Sequence, residues 1–264
     1  AVMMVFALCA CSNGGDNGGT DAKDDGKVSL DFVTGGEQGT YYAFGTVLAQ
    51  QVSDKTSTSV TALSGNGSQA NVEDIAGGNA QLGFVQSDVM SYAYNGEKLF
   101  TEKVTDFSVV AALYMEQVQI VTLNPDIKTV ADLKGKTVCV GDVGSGTEIN
   151  AWQVLGAAGL TKDDVNAVNG SFQDGVDQLK DGKIDAAFTV AGAPTTAIVD
   201  YATTNTLNLV SLTDEELAAI QEAYPFLIRD DLPSTTYTGM TGDVVCVAIQ
   251  ATPVSYTHLR AHET

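Results

Sequence analysis

Two short stretches hold the residues best suited by type and spacing to ligand chemistry. Gly39 and Thr40 sit in "QGTYYAFGTVL" (residues 38–48), and Gly146 and Thr147 sit in "SGTEINAWQVL" (residues 145–155). Each pair follows a strand-like run, "KVSLDFV" or "KTVCV", and opens a helical pattern. A Gly-Thr turn at a helix start presents unpaired amide groups and the positive end of the helix dipole, which together make a site for an anion. Amides and hydroxyls must do this work, because Arg229 is the only arginine before the terminal stretch.

Further polar candidates lie where strands end. Tyr41 and Tyr42 follow the first turn, Ser68 and Asn71 lie in "SGNGSQAN" after "SVTAL", Gln86 and Asp88 lie in "QSD" after "AQLGFV", and Ser145 precedes the second turn. The carboxyl ends of strands in open α/β sheets are where such folds bind ligands. Asp88 can accept hydrogen bonds from a ligand ammonium group. The tyrosines serve equally well as packing groups, and Asn71 or Asp88 as turn caps.

Several chemistries are absent. Both histidines, His258 and His262, fall in the last residues, "PVSYTHLRAHET", so the folded part offers no imidazole base or ligand. Ser-His-Asp and Cys-His catalysis and imidazole metal sites therefore lose their parts. Cys139 and Cys246 sit inside apolar runs, without metal-ligand spacing, and read as core residues. The strand before "GDVGSGT" could open a nucleotide-binding enzyme, but neither a GxGxxG pattern nor a P-loop Gly-Lys-Ser or Gly-Lys-Thr is present. No catalytic residue, metal or cofactor is expected. The formal charge of -20, from 33 acidic and 13 basic side chains, disfavours nucleic acid and anionic lipid as partners.

The elements that must position these residues repeat. Val-, Ile-, Leu- and Phe-rich runs alternate with helical patterns, which predicts an α/β fold of mostly parallel sheets. Phe44, Val47, Leu48 and Val52 recur at helical spacing and predict a helix whose stripe packs on a sheet, with Thr40 as its cap. The two halves align without gaps, Val33 with Val140, Gly39 with Gly146 and Leu48 with Leu155. Further on, Gly78 precedes Phe84 as Gly182 precedes Phe188. This order predicts two lobes, with a small ligand held between facing helix starts and hinge strands between the lobes.

The first 27 residues differ. A short apolar run ends in Leu8, Cys9, Ala10 and Cys11, which resemble a bacterial lipobox with Cys11 as the diacylated anchor. Polar residues 12–27 cannot bury enough apolar surface to order themselves. No basic segment precedes the run, so the chain reads as clipped at its front. The tail from residue 253 carries a composition foreign to the rest.

Taken together, "GTYY", "GNGSQAN", "AQLGFVQSD", "LKGKTVCVGDVGSGTEINA", "DGKIDAAFTVAGAP" and "YPFL…LPSTTYTG" resemble the TRAP-associated extracytoplasmic immunogenic (TAXI) solute receptors, from about residue 28 to about 250. The resemblance implies a two-lobed, type II periplasmic-binding-protein-like fold and a monomeric, lipid-anchored extracytoplasmic receptor. Such a receptor delivers a small organic acid, glutamate or 2-oxoglutarate, to TRAP membrane subunits. A binding protein of an ATP-driven importer, or a ligand sensor, fits the same residues. The expected divisions are a signal remnant 1–11, linker 12–27, lobe one 28–116, lobe two 117–213, a return to lobe one 214–252 and a non-native tail 253–264. Relatives continue past this point with further elements of the first lobe, so that lobe is expected to be incomplete.

Overall fold

A computed structural model describes residues 28–257 and Leu259. Cys11, the segment 1–27 and both histidines lie outside the described residues.

The first lobe opens with β1 (Val28–Val33), α1 (Thr40–Lys55), β2 (Thr58–Leu63), α2 (Ser68–Ala76), β3 (Leu82–Gln86), α3 (Ser87–Asn95) and β4 (Phe107–Val109). The second contains β5 (Met115–Thr122), β6 (Thr137–Cys139), α4 (Gly146–Ala157), β7 (Asn166–Val168), α5 (Phe172–Lys180), β8 (Ala186–Ala191) and α6 (Thr196–Ala202). After these come β9 (Asn208–Leu209), α7 (Asp214–Ala223), β10 (Ile228–Arg229) and the long β11 (Val247–Tyr256). β1 pairs in parallel with β2 and β3, and β6 pairs in parallel with β7 and β8. These four pairs are the strand-helix-strand units predicted by the alternation. The crossing strands pair antiparallel instead.

β11 joins the lobes. Its first residues pair with β5, Ala248 opposite Gln117, and its later residues pair with β3 and β4, with Val254 opposite both Gly83 and Val109. The segment 110–114 returns beside it, held by Val110 N–H to Pro253 O at 2.9 Å and Leu113 N–H to Ala251 O at 3.0 Å. Two antiparallel strands thus form the crossing between lobes, an arrangement that permits hinge motion. The strand runs across the division expected at residue 253, since Pro253 and Val254 are buried in the first lobe's sheet.

Each lobe has its own core. Val72, Ile75, Val85, Val89 and Phe107 pack in the first, while Leu133, Val154, Leu155, Phe188 and Ile220 pack in the second. Cys139 and Cys246 are buried free thiols. The repeated Gly-to-Phe spacing has a structural cause: Gly78 (φ +75°) and Gly182 (φ +66°) end α2 and α5 in the left-handed conformation that suits glycine, and Phe84 and Phe188 are buried in the strands that follow.

The expected stripe of α1 is corrected. Gly45 and Ala49 face the sheet, whereas Phe44 and Val47 are 41% and 61% exposed. A Cβ on Gly45 would lie 2.7 Å from Thr34 Cγ2, so the missing side chain lets the helix seat against the end of β1, with Phe44 and Val47 turned outward and Leu48 and Val52 half-buried.

Candidate functional site

The two lobes face each other across a cavity of about 310 Å³, at the small end of the range for ligand sites. Four helix starts reach it: Gly39 and Thr40 of α1, Gly67 and Ser68 of α2, Ser145 to Thr147 of α4, and Ser171 and Phe172 of α5. The caps differ. Ser145 Oγ and Ser171 Oγ accept from the third amide of their own helices, Glu148 N–H at 3.0 Å and Asp174 N–H at 3.1 Å. Gly39 and Gly67 have no side chain to do this, which leaves the first-turn amides of α1 and α2 for other acceptors. Thr40 is therefore not the cap expected from sequence. Its hydroxyl donates to Gly192 O of the opposite lobe at 2.8 Å.

Seven of the ten sequence-predicted residues line the cavity: Gly39, Tyr41, Ser68, Gln86, Ser145, Gly146 and Thr147. Tyr42, Asn71 and Asp88 do not. Asn71 is fully buried, and its amide donates to Thr34 O and Phe84 O at 2.8 Å each, tying the ends of β1 and β3 together. Asp88 is also buried. It accepts from Val89 N–H at 2.7 Å and from Asn150 Nδ2 at 2.9 Å, and the chain continues through Gln153 to the Tyr92 hydroxyl. Asp88 thus joins α3 to α4 across the lobes instead of meeting a ligand. Burial pushes its pKa up to about 6.

Sequence reasoning missed Gln38, Asp142, Phe172, Gln173 and, above all, Glu116. Glu116 lies near the start of β5 and is 2% exposed. Gln86 Nε2 donates to its Oε2 at 3.0 Å, while Glu116 Oε1 has no hydrogen-bond partner. The Tyr41 hydroxyl lies near enough to hold the Glu116 pKa down, yet does not complete a hydrogen bond to it. Burial outweighs that help and pushes Glu116 up to about 8. Tyr41 and Tyr114 are raised too, first by burial and then by the Glu116 charge. No lysine, arginine or histidine lines the cavity among the described residues. The one available signal for Glu116 was a lone acid in the strand-like run "YMEQVQIV".

The lobes touch on both flanks of the cavity. Thr40 meets Gly192 on one side, and Ala70 N–H reaches Gly144 O at 3.3 Å on the other. Glycine permits these approaches: a Cβ on Gly39 would lie 3.2 Å from Phe172, and one on Gly192 would lie 3.0 Å from Tyr114.

Two α/β lobes, a two-strand crossing and a polar cavity between facing helix starts define a solute-binding fold of the periplasmic-binding-protein type. The chain belongs to the NMT1-like family, whose model matches residues 32–262. In fold it is similar to PhnD1 from Prochlorococcus marinus in complex with methylphosphonate (TM-score 0.57, 12% identity, covering 88% of this chain and 78% of that one). It is also similar to the alkanesulfonate-binding protein SsuA from Xanthomonas axonopodis pv. citri (0.53, 14%, 89% and 67%). A third likeness is to the periplasmic aliphatic sulphonate binding protein SsuA from Escherichia coli (0.51, 16%, 87% and 65%), of which this chain spans just under two thirds. The family match overturns the TAXI reading: the model that covers the chain is NMT1-like, and the similar structures named above are SsuA- and PhnD-type binding proteins. The motifs that suggested the former are glycine turns and polar strand ends, which any two-lobed α/β binding fold needs.

No helix among the described residues is long and apolar enough to cross a membrane. Nor is any group of three or more His, Cys, Asp or Glu placed to hold a metal ion among them.

Proposed function

We propose that this chain is an extracytoplasmic solute-binding protein that closes its two lobes around one small acid and presents it to an ATP-driven importer. The observation that carries this reading is the convergence of four helix starts on a cavity without a basic side chain. Free amides and helix dipoles favour an anionic group there, and the volume limits the solute to a small molecule. The similar proteins are named for alkanesulfonate, aliphatic sulphonate and methylphosphonate, all anions, which supports the same ligand class. The reading is binding without catalysis, supported by the likeness to solute-binding proteins. Cys11 is proposed as the lipid anchor, on the strength of the Leu8-to-Cys11 sequence, and a monomer as the working state, since closure needs lobes free to move.

The test is a thermal melt of the full chain with succinate, 2-oxoglutarate, glutamate, methanesulfonate, methylphosphonate and ATP in turn. A solute that binds only the native state raises the midpoint by mass action. One small acid should raise it and ATP should not. A melt unmoved by every small acid overturns the reading. For the transporter, permease and ATPase genes beside this one are expected, and their absence rules out the importer.

A further inference from the structure

Resting on the solute-binding reading above, we propose that Glu116 binds the solute as an uncharged acid, donating the proton on Oε1 to an anionic oxygen of a small acid held at the helix starts. The geometry is specific. Glu116 lines the cavity; of its two carboxyl oxygens, Oε2 is engaged by Gln86 Nε2 at 3.0 Å, whereas Oε1 is buried without a hydrogen-bond partner. A carboxylate there would carry a buried charge with one hydrogen-bonded amide donor and only the nearby Tyr41 hydroxyl besides. A carboxylic acid would place a strong donor where an anionic solute needs one.

The surroundings favour the acid form. Tyr41 approaches from α1, Tyr114 from the segment before β5, Asp88 from α3 and Gln86 from the end of β3. Asp142 and Glu37 line the same cavity. None of these is a cation, and Asp88 repels the Glu116 charge. With its pKa near 8, Glu116 is mostly protonated at neutral pH, and a bound anion raises that value further. Above it, capture takes one proton from solution: carboxylate, proton and solute anion combine to carboxylic acid and bound anion. The cleft therefore reads an anion with a neutral donor, which explains how an arginine-free site can hold one.

The pH dependence of binding tests this. Dissociation constants of the full chain for the acid that shifts the melt, chosen among succinate, 2-oxoglutarate, methanesulfonate and methylphosphonate, are measured at pH 6.5 and pH 9.5. An affinity at least tenfold weaker at pH 9.5 is expected, because the donor form is then a minor population. Equal affinities overturn the proposal while leaving the solute reading intact; no binding at either pH overturns both. Glu116→Gln supplies a donor that cannot titrate, so the pH dependence should vanish in it. A persistent tenfold loss in that variant assigns the effect to another group and overturns the proposal. Infrared difference spectra of wild type against Glu116→Gln add a readout independent of ligand. The protonated carboxyl stretch should be present at pH 7 and lost by pH 9.5, and its absence at pH 7 overturns the proposal.

Discussion

Gln86 Oε1 lies only 1.9 Å from the point where a Cβ on Gly146 would sit. Gln86 ends β3 in the first lobe and Gly146 opens α4 in the second, so the two faces of the cleft come close together here. The same side chain reaches Glu116 through Nε2. One residue thereby joins the helix start of one lobe to the buried acid at the crossing.

Gly146→Ala follows directly from that contact. Its backbone is helical, so alanine suits the helix, but the added methyl overlaps Gln86 and keeps the lobes apart. Solute affinity should fall at least tenfold while the melting midpoint without solute changes little, as solute titration and a thermal melt will show. Unchanged affinity would mean that Gln86 swings away at no cost.

Thr40→Val removes the hydroxyl that donates to Gly192 O and leaves that carbonyl without its partner. A loss of about 1 kcal/mol in the closed state, or roughly fivefold in affinity, is expected from one hydrogen bond. Small-angle scattering with saturating solute should show a more open average shape than wild type.

Asn71→Ala acts on stability. The amide bridges Thr34 O and Phe84 O in a fully buried position, and its loss strands two carbonyls and leaves a void. Destabilisation of about 2–4 kcal/mol is expected in chemical denaturation. Because Asn71 is not among the residues that line the cavity, the protein that remains folded should bind solute with little change.

Stability should fall as pH rises. Asp88 and Glu116 have folded-state pKa values of about 6 and about 8, above the ordinary 3.8 and 4.5. Between each pair of values the native state holds more protons than the unfolded chain, so raising the pH favours unfolding. The midpoint should therefore drop from pH 4 to pH 8 and then level off with respect to these groups. Glu116→Gln should remove the upper part of that drop and Asp88→Asn the lower part, which melts across this range will resolve.

The strand and helix alternation, the two-lobe repeat and most of the cleft are legible in the order of residues. Gly39, Gly146 and their neighbours were legible because a turn between a strand and a helix has a local signature, and the Gly78 and Gly182 turns have local causes as well. The face of α1 was not legible. Which stripe turns inward depended on Gly45 meeting Thr34, a contact between elements that periodicity does not contain. Tyr42, Asn71 and Asp88 shared the polar, strand-end character of true cavity residues, and only packing sent the latter two to other partners. Glu116 shows the reverse. Nothing local marks it beyond one acid in a strand-like run, and it reaches the cleft because β5 and β11 cross between the lobes and bring it beside Gln86, Tyr41 and Tyr114. Local chemistry specifies helix starts, but a site shared by two lobes is made by distant segments meeting, and that the tertiary structure alone decided.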